Sequence, residues 1–268
     1  MALVKLSTNS IEKIDYVVDS RMNIDQVFAK YKPDYILNGC MYDMSSGATI
    51  TNSIDEGKRH GVYFSRKGIG IVGGNKLVAT TIDQALVNDS ISDFIGGAPL
   101  LVWNSKVDID DTGLKDYYMN ATRLRSVFGM DGSNVYFYVP DSAKGFNTLA
   151  KECVNLGMTC AINLDGGGST IMGKKVNGKL AYIGPHTEKR KNANWILIYL
   201  KKPKTEVSSV RTIKCQDVTV EVSENNNKRT FDGVVIDGVT YAPVRKVFEG
   251  QGANVSYDAA KKKVFVNK

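Results

Sequence analysis

Ala161-Ile162-Asn163-Leu164-Asp165-Gly166-Gly167-Gly168-Ser169-Thr170-Ile171-Met172 is the stretch from which the rest of the chain is best read. An apolar run ends in a carboxylate; three glycines, two hydroxyl residues and a second apolar run follow. Short apolar segments bounded by turn residues read as buried strands, so the first run is expected to deliver Asp165 to a site at its end. Successive glycines reach positive φ and admit close approach of another group. The N–H groups of Gly166, Gly167 and Gly168, with the hydroxyls of Ser169 and Thr170, are expected to form a concave nest for an oxyanion. Asp165 then stands beside a bound anion as an acid/base or nucleophilic carboxylate. The competing reading is a glycine-rich hairpin in which Asp165 only holds the turn, and both readings stay open at this level.

Upstream, Asn134 to Pro140 reads as a strand with Asp141 at its end. Asn147 to Leu156 carries apolar residues at helical spacing, with Gly157 at the C′ position. Strand, Asp141, helix, strand, Asp165 is a crossover that can set both carboxylates at neighbouring strand ends on one sheet edge. Residues 120–130 alternate, placing Arg123 and Arg125 on one face and Leu124 on the other.

Nearer the N-terminus, Ile14 to Val18 is expected to be a strand, Asn23 to Tyr31 a helix closed by Pro33, and Tyr35 to Leu37 a second strand. Asn38 follows at the strand end, where an amide can serve a sugar or phosphate, or simply a turn. Short runs such as 61–64 and 68–72 read as hairpins, 82–94 as a short helix, and 94–103 as one strand entered through Gly96-Gly97. His60 lies in a charged loop and reads as solvated. Lys201 to Thr205 marks a linker. The expected division is a catalytic domain over 1–202, a linker over 203–209 and a small domain over 210–268 with turns at 237–238 and 257–258 and a helical turn over 244–249. The expected fold class is α+β: a mixed β-sheet with helices packed on it, plus a small β-rich C-terminal domain.

With 43% hydrophobic and 24% charged residues among 268, the chain can bury a full core without staples. A net charge of +7 favours anionic surroundings. Nucleic acid is not the expected partner, because the lysines are dispersed and no nucleic-acid motif appears. No apolar run reaches the about 18 residues a membrane span needs. The N-terminus lacks a signal-peptide apolar region, so synthesis in the cytoplasm is expected, with release by lysis or as part of a phage particle. Cys40, Cys153, Cys160 and Cys215 lack paired spacing, and with two histidines no zinc site is expected; buried free thiols are.

Taken together, Asn38-Gly39, Gly96 to Leu101, Arg125 to Gly129, Asp141, the helix to Gly157, Ala161 to Thr170 and Arg190 to Asn194 resemble the phosphodiester glycosidase family, in its order and spacing across about residues 10–200. Two departures stand out: Cys40-Met41-Tyr42 replaces a glycine and aromatics, and Ser142 follows Asp141 where glycine is usual. The resemblance implies hydrolysis of a sugar-1-phosphodiester, with Asp165 and Asp141 as the carboxylate pair. Asn38, Arg125, Gly166, Gly167, Gly168, Ser169, Thr170, Arg190 and Asn194 would bind substrate, guanidinium groups being suited to phosphate. No metal ligand set or cofactor is expected; a divalent cation is not indicated. Residues 237–245, 252–255 and 257–258 resemble the small copper-amine-oxidase N-terminal-type domain, whose name implies no copper here and which is expected to bind cell wall or a partner. The charge and this tail point to an anionic envelope glycan of bacteria or phage. The alternative is a non-catalytic phosphoglycan- or wall-binding protein.

Overall fold

The computed structural model describes residues 1–110, 112–114, 121–185 and 187–202 with their side chains, and beyond them only strand backbones. The chain divides into two compact units, Met1–Lys202 and Pro203–Lys268.

In the first unit, alternation along Asn192–Leu200 sends Ile196 and Ile198 to one face and Trp195 and Leu197 to the other, all four fully buried. A strand apolar on both faces needs cover on both sides. Among the described residues, three antiparallel sheets and three helices supply it. In spatial order the first sheet is Ala2–Ser7, Asn134–Val139, Val127–Met130, Cys160–Asn163, Leu100–Trp103 and Lys106–Asp110. The second is Lys179–Ile183, Met172–Val176, Tyr35–Asn38, Asn192–Leu200 and Ile11–Met22. The third is Lys58–His60, Ser53–Asp55, Ile91–Gly96, Lys67–Val72 and Lys76–Thr81.

Their inner faces share one core. Phe128, Phe137 and Ile162 of the first sheet, Leu37 and Ile196 of the second, and Ile69 and Ile95 of the third fall in a single apolar cluster. Each such side chain stabilises the fold by about 1.5–3 kcal/mol when fully buried. A helix covers each outer face. Phe146–Asn155 buries Phe146, Leu149, Ala150 and Cys153, a helical stripe, on the first sheet. Gly157 takes positive φ just past its end. Ile24–Tyr31 buries Ile24 and Val27 against Trp195 on the second, its N-terminus held by a capping box between Asn23 and Gln26. Ile82–Leu86 packs on the third.

The α+β expectation stands, but the sheet is not mixed: every pairing between named strands is antiparallel. The helix expected over 82–94 stops at Leu86, because a turn closed by Ile91 N–H on the Asn88 carbonyl starts the next strand. The single strand expected over 94–103 is two strands in different sheets, parted at Gly97-Ala98-Pro99. Within 120–130 only Val127–Met130 is a strand; Arg123 instead bridges to Lys144. Residues 61–64 form an irregular arch rather than a hairpin.

In the second unit Gln216–Glu224, Asn227–Ile236 and Val239–Tyr241 make one antiparallel sheet, and Asn254–Asp258 pairs with Lys263–Asn267. Tyr257 and Asp258, expected in a turn, end a strand instead. The linker over 203–209, the turn at 237–238, the helical turn over 244–249 and Cys215 lie outside the described residues.

Candidate active site

The strand Cys160–Asn163 ends two residues before Asp165, and the backbone around that carboxylate is fixed from three sides. Leu164 N–H donates to the Ser126 carbonyl at 2.9 Å, Asp165 N–H to the Gly39 carbonyl at 3.0 Å, and Gly167 N–H to the Leu124 carbonyl at 3.0 Å. Glycine is required at 166 because a Cβ there would lie 2.5 Å from the Leu124 carbonyl oxygen. Asp165 faces a cleft of about 380 Å³ lined also by Met41, Ala98, Leu114, Arg123, Arg125, Phe146, Asn163, Leu164, Gly166, Gly167, Gly168 and Arg190.

Among the described residues, the cleft's charge comes from one carboxylate and three guanidinium groups. Burial pushes Asp165 up to about 6; the Ser169 hydroxyl, the Gly166 N–H at 2.9 Å, Arg190 and Arg125 oppose it. The Ser169 hydroxyl lies close enough to favour the carboxylate without reaching hydrogen-bond geometry. Arg125 is 6% exposed and pairs with no carboxylate among the described residues. Its Nε and Nη2 donate to the Lys144 and Ala121 carbonyls, and its guanidinium lies 3.9 Å from the Phe146 ring centroid. Burial, with Arg123 nearby, pulls Arg125 down to about 10, while Asp165 raises it. The Arg190 side chain has no ion pair or hydrogen bond among the described residues, and its guanidinium packs over Gly168, where a Cβ would lie 2.9 Å from it. A buried guanidinium without a counter-ion is a costly arrangement that a bound anion relieves.

Of the residues picked from the sequence, Asp165, Arg125, Gly166, Gly167, Gly168 and Arg190 converge on the cleft. Five do not line it. Asp141 is at the surface, its side chain 72% exposed and paired with the Met1 amino group. Strand Val127–Met130 intervenes between the two carboxylate-bearing strands, so the crossover spans two strand spacings, about 10 Å, rather than one. Asn38 is fully buried and positions backbone: Nδ2 donates to the Asp165 carbonyl at 2.8 Å, and Oδ1 accepts from Ser126 Oγ at 2.6 Å and Ile171 N–H at 3.1 Å. Asn194 donates from Nδ2 to Thr49 Oγ1 at 2.8 Å and accepts from Gly39 N–H at 3.0 Å, bracing the segment that holds Asp165 N–H. Ser169 and Thr170 are buried behind the turn.

Two of the three glycine donors of the expected nest turn away from the cleft: Gly166 N–H turns back to the Asp165 carboxylate and Gly167 N–H goes to the Leu124 carbonyl, while Ser169 and Thr170 N–H close a 3-10 turn on the Gly166 and Gly167 carbonyls. Gly168 lines the cleft beside the Arg123, Arg125 and Arg190 guanidinium groups. Sequence reasoning missed Arg123 as a cleft residue, although it had been placed on the face of Arg125. Phe146, Leu114 and Met41 gave no signal, since nothing local distinguishes a cleft wall from a core contact. Among the described residues no cluster of three His, Cys, Asp or Glu is arranged to hold a metal ion, and no helix is long and apolar enough to cross a membrane.

Fold and site define a class: a three-sheet α+β domain with one buried carboxylate in a guanidinium-lined cleft. The sequence matches the phosphodiester glycosidase family over residues 18–199, and the chain belongs to that family. No curated protein matches it. Among solved structures, the zebrafish N-acetylglucosamine-1-phosphodiester alpha-N-acetylglucosaminidase catalytic domain, auto-inhibited by its pro-peptide, is similar at 20% identity and TM-score 0.57, over 70% of this chain and 73% of that one. A hypothetical Synechocystis protein is similar at 10% identity and TM-score 0.56, over 74% and 59% of the two chains. A Burkholderia pseudomallei protein described as exported is similar at 10% identity and TM-score 0.52, over 74% and 73%. At these identities the likeness is one of fold. The family match ends at residue 199, before the second unit.

Proposed function

We propose that the first unit is a glycoside hydrolase acting on a sugar-1-phosphodiester. The observation that carries this reading is the buried Arg125, without a carboxylate partner among the described residues, in the same cleft as Asp165. Arg125 and Arg190 hold the phosphate. Water attacks the anomeric carbon, the bond from that carbon to the phosphate oxygen breaks, and the electron pair leaves on the phosphate. Guanidinium groups neutralise that charge, so the leaving group needs no proton. The proton released by the attacking water passes to Asp165, whose pKa near 6 suits a general base at neutral pH.

The net charge of +7 extends the proposal to a polyanionic substrate such as an anionic envelope glycan of bacteria or phage, with the second unit as a wall- or partner-binding appendage. One observation favours a second reading, non-catalytic phosphoglycan binding: among the described residues Asp165 is the sole carboxylate lining the cleft. Incubation with a hexosyl-1-phosphodiester separates them. If Asp165 is the base, kcat/KM rises with pH through about 6, and Asp165→Asn loses about 10²–10⁴-fold. Full activity in that variant refutes the assignment; binding without turnover by the unaltered protein establishes the second reading.

A further inference from the structure

Among the described residues, nothing is hydrogen-bonded or ion-paired to the Arg190 guanidinium, which packs over Gly168 in the cleft wall, and nothing to the Arg190 backbone. The Arg125 head, by contrast, is fixed by two carbonyls and the Phe146 ring. A long side chain free at its tip loses rotamer entropy when a ligand orders it. Where Arg190 points is therefore set by the backbone that carries it, and both of its neighbours are anchored. On one side Lys189 Nζ lies 2.7 Å from Asp25 Oδ2 and 5.4 Å from the Tyr182 ring centroid, and the Tyr182 hydroxyl donates to Asp25 Oδ1 at 2.5 Å. On the other the Tyr42 hydroxyl donates to the Lys191 carbonyl at 2.9 Å.

The two anchors differ in strength. The Lys189 and Asp25 side chains are 54% and 44% exposed, so water and salt weaken their pairing. Tyr42 is 6% exposed. The Arg21 guanidinium backs its ring at 5.5 Å from the centroid, and Arg21 Nη1 donates to the Met44 carbonyl at 2.9 Å. Asp43 closes the next turn: its N–H donates to the Ala48 carbonyl and its carbonyl accepts from Gly47 N–H, both at 2.8 Å. A ring packed into so closed a loop delivers its hydroxyl to one place. Tyr42 also follows Met41, which lines the cleft. One O–H···O bond thus ties the wall that carries Met41 to the wall that carries Arg190.

We infer that Tyr42 is a positioning residue, holding Arg190 through the Lys191 carbonyl at the place where the cleft receives an anion. This rests on the phosphate-binding role given to Arg190 above. A double-mutant cycle tests it, read by calorimetry of inorganic phosphate on the full chain. Tyr42→Phe keeps the packed ring and removes the hydroxyl alone. It is expected to raise the phosphate Kd about three- to tenfold, the scale of one lost hydrogen bond between neutral groups. In the Arg190→Ala background, where Arg125 still meets phosphate, the same change is expected to move Kd by less than about twofold.

Thermal midpoints report the structural cost separately, and Tyr42→Phe should lower them equally in both backgrounds. A tyrosine with a merely structural role would weaken phosphate binding by the same factor with or without Arg190, and that result overturns the inference. So does a Kd unmoved by Tyr42→Phe, or an unaltered protein that binds no phosphate. The cycle reads binding alone, which separates it from the hydrolase reading. Coupled Kd values without cleavage of a hexosyl-1-phosphodiester refute only that reading; cleavage with additive Kd values refutes only the role of Tyr42.

Discussion

Asp165→Asn should make the protein more stable at neutral pH while removing its proposed chemistry. A carboxyl near 6 in the folded state and about 3.9 when unfolded binds its proton more tightly folded. The stabilisation this brings is complete below about pH 4, declines as pH rises through 6 and is gone above about pH 7. The difference of about 2 pKa units, at about 1.36 kcal/mol each, sets a ceiling of about 3 kcal/mol on the cost of keeping the charge buried at neutral pH. An asparagine carries no charge, and its Oδ1 can still accept from Gly166 N–H, the bond that Asp165 Oδ1 makes at 2.9 Å. Loss of attraction to Arg125 and Arg190 reduces the gain, leaving an expected stabilisation of about 1–3 kcal/mol above pH 7 and near zero at pH 4. In a domain of this size that is about 2–12 °C in thermal midpoint. Paired melts of the two proteins from pH 4 to pH 8 isolate the effect, because other titrating groups, such as the buried Asp93, contribute equally to both. Midpoints that differ by the same amount at every pH would refute the desolvation argument, and with it the physical basis for Asp165 as a base near neutrality.

Two further perturbations separate structural from chemical roles around the turn. Gly166→Ala brings a Cβ to within 2.5 Å of the Leu124 carbonyl, backbone that cannot yield cheaply, so denaturant unfolding should show a loss of about 1–3 kcal/mol; Gly168→Ala meets only the ends of two flexible side chains, Arg190 at 2.9 Å and Glu188 at 3.1 Å, so it should leave stability nearly unchanged while weakening inorganic phosphate binding in calorimetry. Asn38→Ala leaves Ser126 Oγ, Ile171 N–H and the Asp165 carbonyl without a side-chain partner and should cost about 2–4 kcal/mol in a urea melt, from about 1–3 kcal/mol per stranded group with partial relaxation.

The fold was legible where local chemistry and burial agreed. Asn23 and Pro33 bounded one helix, and Gly157 ended another. Failures came where a long-range contact overrode a local pattern. Residues 94–103 look like one strand, but Gly96 and Gly97 are pressed against Asn52 and Leu100 backbone and turn the chain into another sheet. Arg123 alternates with Arg125 as a strand would, yet its backbone bonds to Lys144 across the mouth of a helix. The sequential order of strands likewise does not reveal that Val127–Met130 inserts between the strands leading to Asp141 and Asp165.

The same distinction explains the split fate of the site residues. Around Asp165 the conspicuous residue types fall into two layers, and only the inner surface of the cleft is available to chemistry. Asn38 and Asn194 are polar because a strand end, a turn and a neighbouring sheet meet there and backbone and hydroxyl groups must be satisfied out of water, while the buried Ser169 and Thr170 hydroxyls make no hydrogen bond among the described residues. The triple glycine is small because Leu124, Arg125 and Arg190 approach it closely, at distances a side chain at 166 or 168 would occupy. The Gly166 and Gly167 donors thereby go to the protein, and two guanidinium groups reach the cleft from elsewhere: Arg125 from the segment before a strand, Arg190 from the loop before Asn192–Leu200. The Arg125 guanidinium, held by two carbonyls and an aromatic face, needs no ordering when an anion arrives, which suits the proposed leaving phosphate better than a mobile lysine would. The glycine motif is therefore a scaffold that lets one carboxylate and its cations share a small desolvated space, and in the proposed reaction the chemistry belongs to Asp165 and the arginines that the motif admits.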